Sequence, residues 1–273
     1  MEGVENGRVQ FLNERTIRII MILIAGALCT KYIFVDFGID AEFQITMSYR
    51  LARGDIMFKE MWEPYQMSSF LCAFFIKIYL AIFRTTTGIV LYLQVIGVLL
   101  DVLVSYLIYR VVKNCVDREN VAFAMAWVFF LVSPKDVPLA EYANMQIWFS
   151  MLMCITLYIY YMTQKKIYIF LSGLCLCGTV LSYPSCLILF IGVLCILLHK
   201  RDKVGTIIFG LTCLLVGALY LCLIFAQVSF DDFVVSIKNM LLLETSHSIG
   251  VVEKCVAYLK DIIYISIVFC VAY

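Results

Sequence analysis

The sequence predicts an all-α, polytopic transmembrane helical bundle of about seven or eight membrane segments with a juxtamembrane helical outer loop. Three observations predict it. The 273 residues are 63% hydrophobic, and only 15% are charged, where soluble chains average roughly half apolar and about a quarter charged. Mean hydropathy is +0.95. Several apolar runs reach the ~20 residues that a helix needs to cross a bilayer, where only helices and closed barrels satisfy their backbone polar groups. Net charge is +1 and there is no basic run, which points away from nucleic acid as a partner.

Taken in order, the first element is an apolar run at 17–35 behind Arg8, Arg15 and Arg18. It has no small-x-small cleavage signal, so it reads as an uncleaved signal anchor with a cytoplasmic N-terminus. A polar loop follows at 36–65. Further apolar segments lie at 66–84, 88–109, 120–133, 139–162, 167–182, 183–199, 204–226 and 261–273. Within 227–260, Phe230, Phe233, Val234, Ile237, Met240 and Leu241 recur at helical spacing around Asp231, Asp232 and Lys238. That pattern predicts an amphipathic helix in a second outer loop. The last apolar run begins near Asp261 and is too short to span, so the expectation is a C-terminally truncated product or fragment. With no repeats or linkers, 1–273 reads as a single transmembrane domain.

Topology follows from the basic clusters at Arg8/Arg15/Arg18, Arg110/Lys113/Arg118, Lys165/Lys166 and Lys200/Arg201/Lys203. All four belong in the cytoplasm. Parity then requires that one apolar segment fail to cross. Either 66–84, which starts at Pro64 and contains Lys77, is juxtamembrane or re-entrant, or the short 120–133 is. Both solutions leave the 36–65 loop and Glu141 on the same extracytoplasmic side, with Tyr183-Pro184 at the outer surface.

Most of the twelve cysteines lie inside apolar runs, where they act as small packing residues rather than a disulfide framework. His199 and His247 are too far apart to make a zinc site. No phosphate-binding glycine loop or nucleophile elbow is present.

The residues that can carry chemistry concentrate in the first outer loop. Asp36, Asp40 and Glu42 follow the first crossing. An Asp-x-Glu pair at a membrane surface serves as a general base or holds a divalent cation, while any solvated loop also carries acids. Arg50 and Arg53 lie on 41–53, which is able to form a helix ended by Gly54-Asp55. Arginine grips phosphate bidentately. Glu141 opens the 139–162 helix on the same side, where it also suits the helix dipole. Trp62 and Tyr65 flank Glu63-Pro64, placed to stack on a sugar or to anchor the loop. Asp101 is an acid inside an apolar segment, serving function or bonding a neighbouring helix, with Lys77 a candidate partner.

These features resemble the GT-C superfamily of membrane glycosyltransferases, specifically the protein O-mannosyltransferase and aminoarabinose-transferase group (glycosyltransferase family 39-like). The matching residues are Asp40-Ala41-Glu42, then Tyr49-Arg50-Leu51-Ala52-Arg53-Gly54-Asp55, then Phe58-Lys59-Glu60-Met61-Trp62-Glu63-Pro64. The resemblance covers roughly residues 15–200. It implies a cytoplasmic N-terminus, an outer loop opening on acids, a juxtamembrane helix at 66–84, and a second acidic site at Glu141 or Asp136. In place of the family's Glu-Lys-Pro-Pro stands Glu63-Pro64-Tyr65, and Gly178 is followed by Tyr183-Pro184 rather than a lysine. Lys59, Arg50 or Arg53 would then hold the carrier phosphate.

The functional expectation is a cell-membrane, multi-pass glycosyltransferase. It would take a sugar from a polyprenyl-phosphate donor to a hydroxyl on a lipid, protein or glycan acceptor. Asp40 would be the general base. Glu42 and Glu141 would orient it or the acceptor, or bind a cation. Arg50, Arg53, Lys59, Trp62, Glu63 and Tyr65 would contact substrate. The rival expectations are a transporter or lipid flippase built on Asp101 and Lys77, and an inactive remnant.

Overall fold

Apolar runs broken by short polar turns fold as a chain of helices. A computed structural model describes residues 14–34, 39–62, 65–116, 118–132 and 138–246. Asp36, Glu63, Pro64, Asp136, His247 and the 261–273 segment lie outside the described residues, as does the 247–260 part of the second outer loop. Ten α-helices run in the order α1 (Glu14–Ile33), α2 (Ile39–Arg53), α3 (Gln66–Phe83), α4 (Ile89–Cys115), α5 (Glu119–Val132), α6 (Tyr142–Thr163), α7 (Lys166–Ser182), α8 (Ile188–His199), α9 (Lys203–Phe225) and α10 (Phe230–Ser246). A 3-10 turn at Pro184–Leu187 joins α7 to α8. Among the described residues the only extended pairing is an isolated bridge between Met57 and Met61.

Among the described residues three helices, α4, α6 and α9, are long and apolar enough to cross a membrane. The apolar stretches of α3, α5, α7 and α8 are shorter than that. At 14 residues α5 extends about 21 Å, against a hydrocarbon core of about 30 Å. Most helix ends fall within a few residues of the hydropathy boundaries. The exception is α4, which runs on through Arg110 to Cys115. Hydropathy marks where lipid ends, whereas the backbone ladder continues into water through polar residues.

The helices pack as two joined cores. In one, Val104 and Ile108 of α4 meet Ala126 of α5 and Met145, Trp148 and Ile155 of α6. In the other, Met153, Leu157 and Tyr160 of α6 meet Ile169 and Leu176 of α7, Val193 and Leu197 of α8, and Phe209 of α9. The outward face of α9 carries Leu211, Leu214, Leu215 and Leu219, all exposed. A continuous apolar face of this kind fits lipid rather than water.

Polar contacts hold the basic end of the bundle. Arg18 of α1 donates to Asn120 Oδ1 at 2.5 Å and pairs with Glu119 at 3.2 Å. Tyr109 and Lys113 of α4 donate to the same Glu119 carboxylate at 2.6 and 3.0 Å. Those two hydrogen bonds, helped by the Arg18 charge, pull the Glu119 carboxyl down to about 2. Asp202 caps α9 by accepting from the Gly205 amide at 2.8 Å, and it accepts from the Tyr160 hydroxyl of α6 at 2.7 Å.

At the other end, α2 and α3 lie across the helix termini. Tyr65, just before α3, stacks on Tyr142 at the start of α6. Cys72 donates to the Ala140 carbonyl just before α6. Ile76 and Tyr79 pack with Ala41 of α2 and with Ile89 and Leu93 at the start of α4. The whole length of α3 therefore contacts residues near one end of the bundle. The apolar face of α10 is partly occupied by protein, since Phe233 and Ile237 pack with Met57, Phe58 and Met61.

Asp202→Ala should cost about 1–2 kcal/mol, the loss of an N-cap and a buried phenol bond, with Asp202→Asn retaining most of it; thermal unfolding in detergent measures both. The stabilisation from the depressed Glu119 carboxyl is fully present above about pH 4.3 and is lost as pH falls toward 2. Acid should therefore loosen α1 in that window, and Glu119→Gln should lack the step. Trp127, whose Nε1 donates to the Met21 carbonyl of α1 at 3.0 Å, reports it by fluorescence, taken as the difference from Trp127→Phe.

Candidate functional site

The local sequence of α2 makes a helix with opposite charge at its two ends. Asp40 and Glu42 lie in the first turn, and Arg50 and Arg53 in the last, each complementing the dipole where it stands. Gly54 ends the helix at φ +113°, a conformation open to glycine and costly for other residues. Ala41, Gln44 and Ser48 are buried on one face, whereas Glu42, Phe43, Thr46 and Arg53 are exposed.

On the buried face a single amide is decisive. Gln44 Nε2 donates to Ser69 Oγ at 2.9 Å and to Ser48 Oγ at 3.2 Å, while its carbonyl accepts from Ser68 Oγ at 2.6 Å. Gln44, Ser48, Ser68 and Ser69 are all fully buried. A buried amide left unsatisfied costs about 1–3 kcal/mol, so this network fixes the register of α2 on α3.

The second strand of the site is the Pro138–Glu141 approach to α6. Pro138, Leu139, Ala140 and Glu141 are all buried. Gly97 of α4 admits them, because a Cβ at that position would stand 2.1 Å from the Pro138 carbonyl oxygen. Asn144 Nδ2 donates to the Leu139 carbonyl at 2.9 Å from inside α6. Glu141 is the N-cap residue of α6, with extended backbone and only 5% exposure. Its side chain makes no capping bond, and its charge stands at the positive end of the α6 dipole.

The two arms meet at Tyr142. Its hydroxyl donates to Asp40 Oδ2 at 3.0 Å, and the carboxylates of Asp40 and Glu141 both act on that hydroxyl. Its ring stacks on Tyr65 at 4.1 Å between centroids, and Tyr65 stacks on Tyr183 at 5.3 Å. Three near-parallel tyrosines, from the starts of α3 and α6 and the end of α7, thus form a wall beside two carboxylates. Stacked rings of this kind present flat apolar faces with polar edges.

The structure brings Asp40, Glu141 and Tyr65 around Tyr142 and sets Glu42, Arg50 and Arg53 apart from it. Glu42 is exposed on the far side of α2, because residues two apart on a helix do not face each other. Arg50 and Arg53 sit ten and thirteen residues along α2 from Asp40, roughly 15–20 Å by helical rise. Arg50 is engaged there, pairing with Asp55 at 2.6 Å and donating to the Glu60 carbonyl at 2.9 Å. Lys59 is exposed in the following turn and Trp62 is half-buried. Glu63 lies outside the described residues. Asp101 accepts from Trp148 Nε1 at 2.9 Å, and no ion pair links it to Lys77 among the described residues. Tyr142 and Tyr183 escape a reading based on charge. Their signal is position, each beside a helix break at the end of the bundle away from the basic cluster.

Among the described residues no group of three His, Cys, Asp or Glu side chains is placed to hold a metal ion. Comparison with protein-family models, with curated proteins and with solved structures finds no match.

Gly97→Ala should push the Pro138 strand away, at a cost of about 1–3 kcal/mol for overpacking. The expected signature is a lowered unfolding midpoint together with loss of a Tyr65–Tyr142 contact, read as loss of disulfide trapping in a Tyr65→Cys, Tyr142→Cys pair.

Proposed function

We propose that this chain is a polytopic membrane glycosyltransferase. It transfers a sugar from a polyprenyl-phosphate donor to an acceptor hydroxyl on a lipid, protein or glycan outside the cell. The single observation that supports this most is the Tyr142–Asp40 hydrogen bond, which ties Asp40 to the residue next to Glu141 across 102 residues of sequence. The three stacked tyrosines supply a sugar-sized platform beside them. On this reading the N-terminus is cytoplasmic and the acids face outward. Seven or eight apolar helices form the GT-C-like bundle, with α2 and α3 lying at the outer surface rather than crossing.

In the proposed step the acceptor oxygen forms a bond to the anomeric carbon as the bond from that carbon to the phosphate oxygen breaks. The acceptor proton passes to Asp40, and polyprenyl phosphate leaves. A single displacement of this kind inverts the anomeric centre. Tyr142 is a positioning residue that holds the Asp40 carboxylate. Glu141, buried beside it, orients the acceptor. On this reading Arg50 and Arg53, roughly 15–20 Å along α2 from Asp40, do not contact the phosphate of the same donor, and Glu42, on the other face of α2, does not orient Asp40. A transporter built on an Asp101–Lys77 pair draws no support from a structure in which Trp148 holds Asp101.

The test uses purified chain in proteoliposomes made with a total membrane extract as the acceptor source and a radiolabelled polyprenyl-phosphate sugar, scoring label transferred to components of the extract. Asp40→Asn should lower transfer by about 10²–10⁴, the usual worth of a general base. Tyr142→Phe should lower it less and shift its pH profile. Undiminished transfer by Asp40→Asn would remove the residue from the mechanism.

A further inference from the structure

A second site shares no lining residue with the tyrosine wall. A half-open cavity of about 630 Å³ is lined by Gly54–Met57 after α2, by α3, by Leu181 near the end of α7, and by the end of α9 with the turn that follows. Two helical stripes form its walls. Phe70, Ala73, Phe74 and Lys77 line it from α3, and Tyr220, Leu223, Ile224 and Gln227 line it from α9 and beyond. Each stripe follows the i, i+3, i+4, i+7 spacing of one helix face and ends in a polar residue.

Charge in this cavity is one-sided. Asp55 lines it, but Arg50 neutralises that carboxylate at 2.6 Å. Lys77 lines it as an exposed ammonium with no acidic partner among the described residues. Tyr220 also lines it, and its buried hydroxyl has no hydrogen-bond partner. A cation beside apolar walls, where a bilayer surrounds α9, calls for an anion that carries its own apolar chain.

We infer that this cavity binds one anionic glycerophospholipid of the outer leaflet, with its phosphate on Lys77 and one acyl chain between α3 and α9. The volume suits one chain. If each methylene takes ~30 Å³, as a water molecule does, the space accommodates some twenty such groups. That is one ordinary acyl chain with part of a headgroup, the lipid's second chain remaining in the surrounding bilayer. Neither Asp40 nor Tyr142 lines the cavity, and the inference does not rest on sugar transfer.

Native mass spectrometry of the full chain, released from nanodiscs of mixed phosphatidylglycerol and phosphatidylcholine, tests it. Wild type should retain one phosphatidylglycerol, and Lys77→Gln should lower that retention at least tenfold. Leu223→Trp, which fills the cavity and leaves the charge, should lower it as well. Asp40→Asn should retain the lipid at the wild-type level. Equal retention of both phospholipids, or wild-type retention by Lys77→Gln and Leu223→Trp, would overturn the proposal. Displacement of the bound phospholipid by equimolar long-chain polyprenyl phosphate would overturn it too, by assigning the cavity to the donor.

Discussion

One buried amide decides where the acids of the first loop go. Gln44 sits with no exposed surface between α2 and α3, where water cannot satisfy it. Its partners are three serine hydroxyls, Ser48, Ser68 and Ser69. In a low-dielectric setting such a network tolerates one arrangement well and others poorly. A one-residue rotation of α2 would bury Ile45 against the serines and strand the amide. Asp40 is one helical turn before Gln44, so fixing Gln44 also fixes Asp40 toward α6.

The arm from α4 to α6 meets this constraint independently. Gly97 lets the Pro138 carbonyl approach to a distance no side chain would allow, and Leu139 and Ala140 follow into the core. Glu141 therefore enters the site from a rigid strand. The two arms share little sequence and meet through a phenol, Tyr142. A phenol suits this place. Its ring buries against Tyr65 while its hydroxyl remains at the edge to reach a carboxylate.

Much of the fold was legible in the sequence, because helix boundaries in this chain coincide with changes of solvent. The α7–α8 break was readable from Tyr183-Pro184, and α2 from polar residues bounded by Gly54. What could not be read was the direction of side chains on α2. Asp40 and Glu42 look like a pair in one dimension, but helical geometry sets them on opposite faces. Arg50 and Arg53 look like neighbours of the acids and end near Asp55 and Glu60 instead. The tyrosine wall was invisible because its three rings come from helix ends far apart in sequence. Nothing local distinguishes them from the chain's other tyrosines.

The two ends of the bundle are built on different physics. At the basic end the contacts are charged, as in the cluster of Arg18, Lys113 and Glu119, whose side chains remain partly exposed. Such pairs are weak in water but cheap to keep there. At the opposite end the contacts that hold α2 and α3 are neutral, made by hydroxyls, an amide and stacked rings. Burying charge at that position would require desolvation without a guaranteed partner. A neutral scaffold avoids that cost and leaves acids as the charged members of the tyrosine site. This division places the Asp40 and Glu141 carboxylates on uncharged supports, so that their electrostatics answer to what lies beside them rather than to the scaffold.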